Sequence, residues 1–243
     1  MWRCKECDWP STEHLAVCQN CGAWGSLVSD TAAGPRNAVL PRVRGALVST
    51  KDLARMDRPS LPLSAAWKNL FGSLPSCFGL MVYGPPGSGK SHWLMLLAAE
   101  LARFAPVLYV ASESGQSNAT IQMVQRLEVY SDRILVSSAI SAGEIVADLC
   151  ACNARFIVLD SLTCVPDLSL VALSQLAEKE RLGVAFSLHV TKTGTFRGQS
   201  HWAHWTDVVA RIEDHVLTVE KNRFGPVKAQ QLDYAGEPEG VVT

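Results

Sequence analysis

Eight consecutive residues constrain this chain more than any others: Gly84-Pro85-Pro86-Gly87-Ser88-Gly89-Lys90-Ser91, which satisfies G-x-x-x-x-G-K-[ST] at every fixed position. The run lies between a strand-like apolar stretch, Gly79 to Tyr83, and a helix-like one, His92 to Arg103. A strand feeding a glycine-rich loop that opens a helix presents unpaired backbone N–H groups at a helix N-terminus, a ready-made phosphate site. Glycines let the main chain wrap close to phosphate oxygens. Lys90 then neutralises β/γ-phosphate charge, and the Ser91 hydroxyl ligates Mg²⁺. A Gly/Pro-rich surface turn is the bland alternative, and the strand and helix context weighs against it. The motif points to a chain that binds a nucleoside triphosphate, with Gly84, Pro85, Pro86, Gly87, Ser88, Gly89, Lys90 and Ser91 as the ATP cradle.

A second pattern precedes it. Cys4, Cys7, Cys18 and Cys21 form C-x2-C-x10-C-x2-C in a chain without an N-terminal signal-peptide pattern. Two such knuckles outside a secretory context imply a tetrahedral zinc site rather than disulfides. Without metal, so short a module has too little apolar material to fold alone. Four thiolates would fill the coordination shell, which makes the zinc structural. Cys77, Cys150, Cys152 and Cys164 lie in apolar segments and are expected to be small core residues.

These features set the organisation: a zinc ribbon over 1–28, a linker over 29–60 and one large domain over 61–243. The linker has Gly34-Pro35, Pro41 and Pro59 and no periodicity. Its basic residues, Arg36, Arg42, Arg44, Lys51, Arg55 and Arg58, read as a solvated surface before they read as phosphate contacts. A formal charge of −1 excludes a global nucleic-acid signature, so any such contact must be local. No apolar run is long enough to span a membrane, and a cytoplasmic setting is expected.

From Leu61 onward, short apolar runs alternate with amphipathic ones. Strands are expected at Leu80–Tyr83, Val107–Ala111, Arg133–Val136, Phe156–Leu159 and Val184–His189. Helices are expected at Ser91–Phe104, Ser117–Leu127, Ala142–Asn153 and Asp167–Arg181. This alternation predicts an α/β fold with a largely parallel sheet covered on both faces. Three later runs, Asp207–Glu213, Val216–Glu220 and Lys228–Leu232, read as antiparallel strands added at one edge.

Three further segments carry chemistry. Phe156-Ile157-Val158-Leu159-Asp160-Ser161 is an apolar strand ending in a carboxylate, so Asp160 is the candidate for ordering the Mg²⁺ shell. Glu113 ends the strand through Tyr109. Ligands in open α/β sheets sit at the carboxyl ends of strands, which makes Glu113 the candidate general base for an attacking water, with Asp160 as its competitor. The polar stretch from His189 to Ser200 starts at a strand's carboxyl end. There His189 suits a γ-phosphate sensor, and Lys192 and Arg197 suit a polyanion. Phe196, Trp202 and Trp205 offer either stacking faces for unpaired bases or packing beneath that loop.

The whole chain resembles the RadA (Sms) branch of the RecA-like ATPases, bacterial recombination and repair proteins. The resemblance rests on Cys21-Gly22-Ala23-Trp24 and Ser26-Leu27-Val28 of the zinc module, the phosphate loop, Val107 to Val110 leading to Glu113, His189-Val190-Thr191-Lys192, and Lys221-Asn222-Arg223-Phe224-Gly225. It implies a RecA-like P-loop core and a ring-forming homo-oligomer. It also implies a DNA-stimulated ATPase that binds single-stranded DNA and drives branch migration, working with recombination or replication proteins. Lys221 and Arg223 take the places of residues that work with ATP across the subunit boundary and with DNA. The family's Lon-protease-like C-terminal domain has no counterpart before Thr243, so the expectation is a divergent short form. The rival expectation is a nucleotide-switched adaptor that hydrolyses little and recruits a partner through its zinc finger.

Overall fold

The computed structural model describes residues 2–4, 10–12, 27–29, 49–53, 55, 60–189, 202 and 204–231, and its contacts divide the chain into Met1–Pro59 and Ser60–Thr243. In the first unit Trp2–Cys4 (β1) pairs antiparallel with Pro10–Ser11 (β2) and Leu27–Ser29 (β3), giving the order β2-β1-β3. Cys4 ends β1 and is buried. Cys7, Cys18 and Cys21 lie outside the described residues, and with them the zinc expectation. Within the segment expected to be a linker, Thr50–Leu53 forms one helical turn (α1). Its start is fixed by Ser49, whose Oγ accepts from the Asp52 N–H at 3.1 Å and donates to the Asp52 carboxylate at 2.6 Å.

The second unit alternates as its apolar runs require. Its elements are Ala65–Phe71 (α2), Gly79–Gly84 (β4), Lys90–Ala102 (α3), Val107–Val110 (β5), Asn118–Arg126 (α4), Ile134–Ser137 (β6), Ala142–Cys152 (α5), Phe156–Leu159 (β7), Leu170–Glu180 (α6), Gly183–His189 (β8), Val208–Glu213 (β9), Val216–Asn222 (β10) and Ala229–Gln231 (β11). They build one sheet in the order β11-β10-β9-β4-β8-β7-β5-β6. Strands β4, β5 and β7 are buried at every position, as a sheet covered on both faces demands.

The expectation for the late strands needs correction. β9 runs parallel to β4, so only β10 and β11 are antiparallel additions. A parallel neighbour requires a long return connection, and the stretch from His189 to Val208 is long enough to supply it. Periodicity within a strand says nothing about its direction.

One sheet face carries Leu80, Val82, Val208, Ala210 and Ile212 beneath the buried side chains of α2 and α3. Trp67 and Phe71 of α2 meet Trp93 of α3 with ring centroids 5.4 and 6.0 Å apart. α3 buries Trp93, Leu94, Met95, Leu97, Ala98 and Leu101, as suits a central helix. α6 starts at Leu170 rather than at Asp167, because Ser169 caps it by accepting from Ala172 N–H at 3.1 Å. Asp167 instead caps α5, both carboxylate oxygens accepting from Ala142 N–H at 3.0 Å. The later cysteines are not core residues: Cys77 and Cys150 are exposed, and Cys152 and Cys164 are half-buried.

At the outer edge, the pairing of β10 with β9 shifts register between Val219 and Lys221. Glu220 is the extra residue of a β-bulge. Beyond it Lys221 lies opposite Val209 and Asn222 opposite Val208.

Candidate nucleotide site

The phosphate loop leaves the carboxyl end of β4 and turns into α3 through two residues of unusual backbone geometry. Gly87 and Gly89 have φ of 76° and 97°, left-handed conformations that favour glycine. Gly84 needs its missing side chain for another reason, since a Cβ there would collide with the Ile212 carbonyl of β9. Lys90 opens α3 and is 5% exposed; its Nζ donates to the carbonyls of Gly84 at 2.9 Å and Pro85 at 2.7 Å. Burial pushes the Lys90 ammonium below its ordinary range, while Asp160 and Glu113 pull the other way. The lysine is therefore folded into its own loop, close to two carboxylates.

Asp160 follows β7 and is buried, and both of its oxygens are engaged. Ser187 of β8 donates to Oδ1 at 2.9 Å, and Tyr109 of β5 donates to Oδ2 at 3.1 Å. The Tyr109 hydroxyl also lies 3.3 Å from the Ser91 carbonyl, in the first turn of α3. Burial, then the Asp160 charge, raises the Tyr109 phenol well above its ordinary range, so it remains a proton donor. A hydroxyl from Ser91 and a fixed carboxylate from Asp160 are hard oxygen donors of the kind Mg²⁺ takes, so these two residues fit a magnesium site.

Glu113 and His189 come together from the ends of β5 and β8. His189 Nε2 lies 3.0 Å from Glu113 Oε2. The backbone around Glu113 is pinned to the end of β7: Ser112 Oγ donates to the Ser161 carbonyl at 2.7 Å, and Glu113 N–H to the Asp160 carbonyl at 3.4 Å. Four of the residues singled out for catalysis, Lys90, Glu113, Asp160 and His189, thus share the carboxyl end of the sheet.

Lys221 and Arg223 do not. They stand near the opposite end of β4, whose six residues span about 17 Å. Lys221 Nζ donates to the carbonyls of Thr206 at 2.5 Å and His204 at 3.3 Å. Arg223 bonds Asp207 Oδ1 at 3.0 Å and the His204 carbonyl at 3.3 Å. Burial lowers the Lys221 ammonium, and the neighbouring Arg223 charge lowers it further. Between the two cations Asn222 Nδ2 donates to the Phe71 carbonyl at 3.3 Å, and after them the Phe224 carbonyl accepts from Ser73 N–H at 3.1 Å. A Cβ on Gly225 would stand 2.6 Å from the Phe71 carbonyl. Residues of this pentapeptide therefore grip both the end of α2 and the His204–Asp207 segment.

Close by, Trp202 and Trp205 pack on Phe186, with ring centroids 5.0 and 6.3 Å away. This is the packing alternative for both indoles. Lys192, Arg197 and Phe196 lie outside the described residues.

The family model for the AAA domain (dynein-related subfamily) matches residues 79–213, the span from β4 through β9. The chain belongs to the AAA family. It is also RadA-like: it is 27% identical to the DNA repair protein RadA of Streptococcus pyogenes over 91% of this chain and 54% of that protein. The corresponding protein of Pseudomonas aeruginosa is 28% identical over 93% of this chain and 56% of that one. The chain spans about half the length of these relatives. Among solved structures, a KaiC-like protein from Pyrococcus horikoshii aligns with TM-score 0.57 at 13% identity, over 75% of this chain and 97% of its own. The flagellar accessory protein FlaH from Methanocaldococcus jannaschii aligns with TM-score 0.54 at 12% identity, over 72% and 94%. Both likenesses are of fold. This AAA-family core is thus a RecA-like P-loop ATPase domain, and no helix among its described residues is long and apolar enough to cross a membrane.

Sequence reasoning missed Tyr109 and Ser187. The signal was available: each is a lone hydroxyl in an apolar strand, and a buried hydroxyl needs a partner.

Proposed function

We propose that the chain is an ATP-dependent, DNA-binding motor of the RadA type, acting in recombination and DNA repair by branch migration on single-stranded intermediates. The observation that carries this reading is the Glu113–His189 pair, 3.0 Å apart, beside Asp160 in a chain similar to RadA over most of its length. Lys90 neutralises phosphate charge, and Mg²⁺ held by Ser91 and Asp160 would add further neutralisation at the β/γ-oxygens. Glu113 accepts a proton from water as the water oxygen bonds to the γ-phosphorus and the bond to the bridging oxygen of ADP breaks. The products are ADP and phosphate. His189, bonded to the same carboxylate, senses whether the γ-phosphate is present.

Lys221 and Arg223 stand too far along β4 to serve their own phosphate loop, which supports a role on a neighbour's nucleotide in a ring of copies. Lys192, Arg197 and Arg223 would neutralise DNA phosphates, so affinity for a single-stranded oligonucleotide should fall steeply with salt. Cys4, Cys7, Cys18 and Cys21 would hold a structural zinc in a ribbon over 1–28, tethered through 29–60 to the ATPase domain over 61–243. A cytoplasmic setting with recombination or replication partners accords with this function.

The deciding experiment is ATP hydrolysis by the zinc-loaded chain with and without single-stranded DNA, using Lys90→Ala as the blank. Strong stimulation is expected. ATP binding without stimulation would overturn the motor in favour of the nucleotide-switched adaptor, the reading that the formal charge of −1 favours.

A further inference from the structure

Tyr109 belongs to a strand that asks only for apolar bulk. Val107, Leu108 and Val110 around it are buried, and the Tyr109 ring is itself part of the core with Leu94, Ala98 and Val158. A phenylalanine would fill the same space. The added hydroxyl must earn its place, because burying one without a partner is costly. Its two acceptors are the Asp160 carboxylate at 3.1 Å and the Ser91 carbonyl at 3.3 Å. Those are the residues that fit Mg²⁺.

We infer that Tyr109 is a positioning residue of the metal site, its hydroxyl fixing the Asp160 carboxylate beside the first turn of α3, which carries the other magnesium ligand, Ser91. The inference rests on the reading of Gly84–Ser91 as an ATP cradle. A carboxylate held at one oxygen can still turn about that bond; one held at both cannot. β7 lies between β5 and β8 in the sheet, and each neighbour supplies one hydroxyl, Tyr109 to Oδ2 and Ser187 to Oδ1. The phenol has one proton for two acceptors, and the charged oxygen is the stronger and nearer of the two. Ser187 clamps the carboxylate from the other side. The two hydroxyls therefore share the orienting task, with Tyr109 on the side that faces α3.

Partners that orient metal ligands typically change metal affinity by ten- to a hundredfold when removed. The test uses the full chain and a fluorescent ATP analogue, whose binding is titrated first in EDTA and then with Mg²⁺ at fixed nucleotide. In Tyr109→Phe the Mg²⁺ half-saturation should rise about tenfold or more, with metal-free nucleotide affinity kept within about twofold. Mn²⁺ binding followed by electron paramagnetic resonance in the presence of ADP should weaken in parallel. Ser187→Ala provides a second route should Tyr109→Phe fail to fold, and it should move the same half-saturation in the same direction. An unmoved Mg²⁺ half-saturation in a folded variant overturns the inference. So does an equal loss with and without metal, which would mark Tyr109 as a packing residue. A wild-type chain that binds no nucleotide under either condition would overturn the ATP cradle itself, and this inference with it.

Discussion

At the carboxyl end of β4, Lys90 rests its ammonium on two main-chain carbonyls, and toward the opposite end Lys221 does the same. The surroundings differ. Lys90 is buried in a loop whose neighbours are carboxylates, and Asp160 opposes the desolvation that lowers its pKa. Lys221 has a second cation beside it, and Arg223 adds to the desolvation rather than opposing it. The Arg223 side chain is 53% exposed even while it is bonded to Asp207. An enclosed lysine among anions is suited to a phosphate delivered into its own loop. Two adjacent cations, one of them facing outward, are suited to an anion that arrives from another molecule. The same contact, ammonium on carbonyl, thus sits in two opposite settings of charge and exposure.

The largest expected effect breaks the first end alone. Lys90→Ala should reduce ATP turnover by about a hundredfold or more while the melting temperature stays close to wild type; unchanged turnover would sink the assignment of the loop. The second end is sharpened by mixing. Arg223→Ala should lower turnover about tenfold or more, since a cation supplied to a transferring phosphate is worth at least that. Adding Lys90→Ala chains, inactive themselves but carrying an intact Arg223, should restore part of the activity. If the mixture is no more active than Arg223→Ala alone, the cation does not act between copies.

A smaller effect concerns the frame that holds the second end. Gly72 has φ of 73°, and a Cβ there would collide with the Phe224 carbonyl. Gly72→Ala should cost about 2–4 kcal/mol of stability in urea unfolding, because the obstacle is main chain and cannot rotate away. The smallest lies away from both ends. Glu144 is held below its ordinary 4.5 chiefly by the Ile140 N–H, with Ser141 completing the cap of α5. A lowered carboxyl pKa gives stability that is present above that ordinary value and lost as pH falls through the lowered one. Melting temperatures of wild type and Glu144→Ala should therefore differ slightly at neutral pH and converge in acid.

The first end was largely legible in the sequence, because the phosphate loop encodes its backbone in its glycines and the strands carry their own apolar runs. Asp160, Glu113 and His189 were legible as strand ends, though not as a hydrogen-bonded group. The second end was not. Lys221-Asn222-Arg223-Phe224-Gly225 stood out by resemblance, and residue types alone reduced it to a turn. α2 was missed because Ala65–Phe71 is only seven residues long and its apolar side chains overlap the approach to β4. The late cysteines misled because an apolar sequence neighbourhood does not guarantee a buried position, whether on a helix, as for Cys150 and Cys152, or in a bend, as for Cys77.

Glu220 gives the second end its handedness of display. Were Glu220 paired in regular register opposite Val209, Lys221 would fall opposite Val208, on the face covered by α2, and Asn222 would turn away from the Phe71 carbonyl it now meets. The bulge works like a shifted reading frame. One inserted residue exchanges inside for outside along everything downstream: deleting Glu220 would close the bulge with Lys221 still opposite Val209, whereas drawing Glu220 into the ladder would reverse the display of everything beyond it.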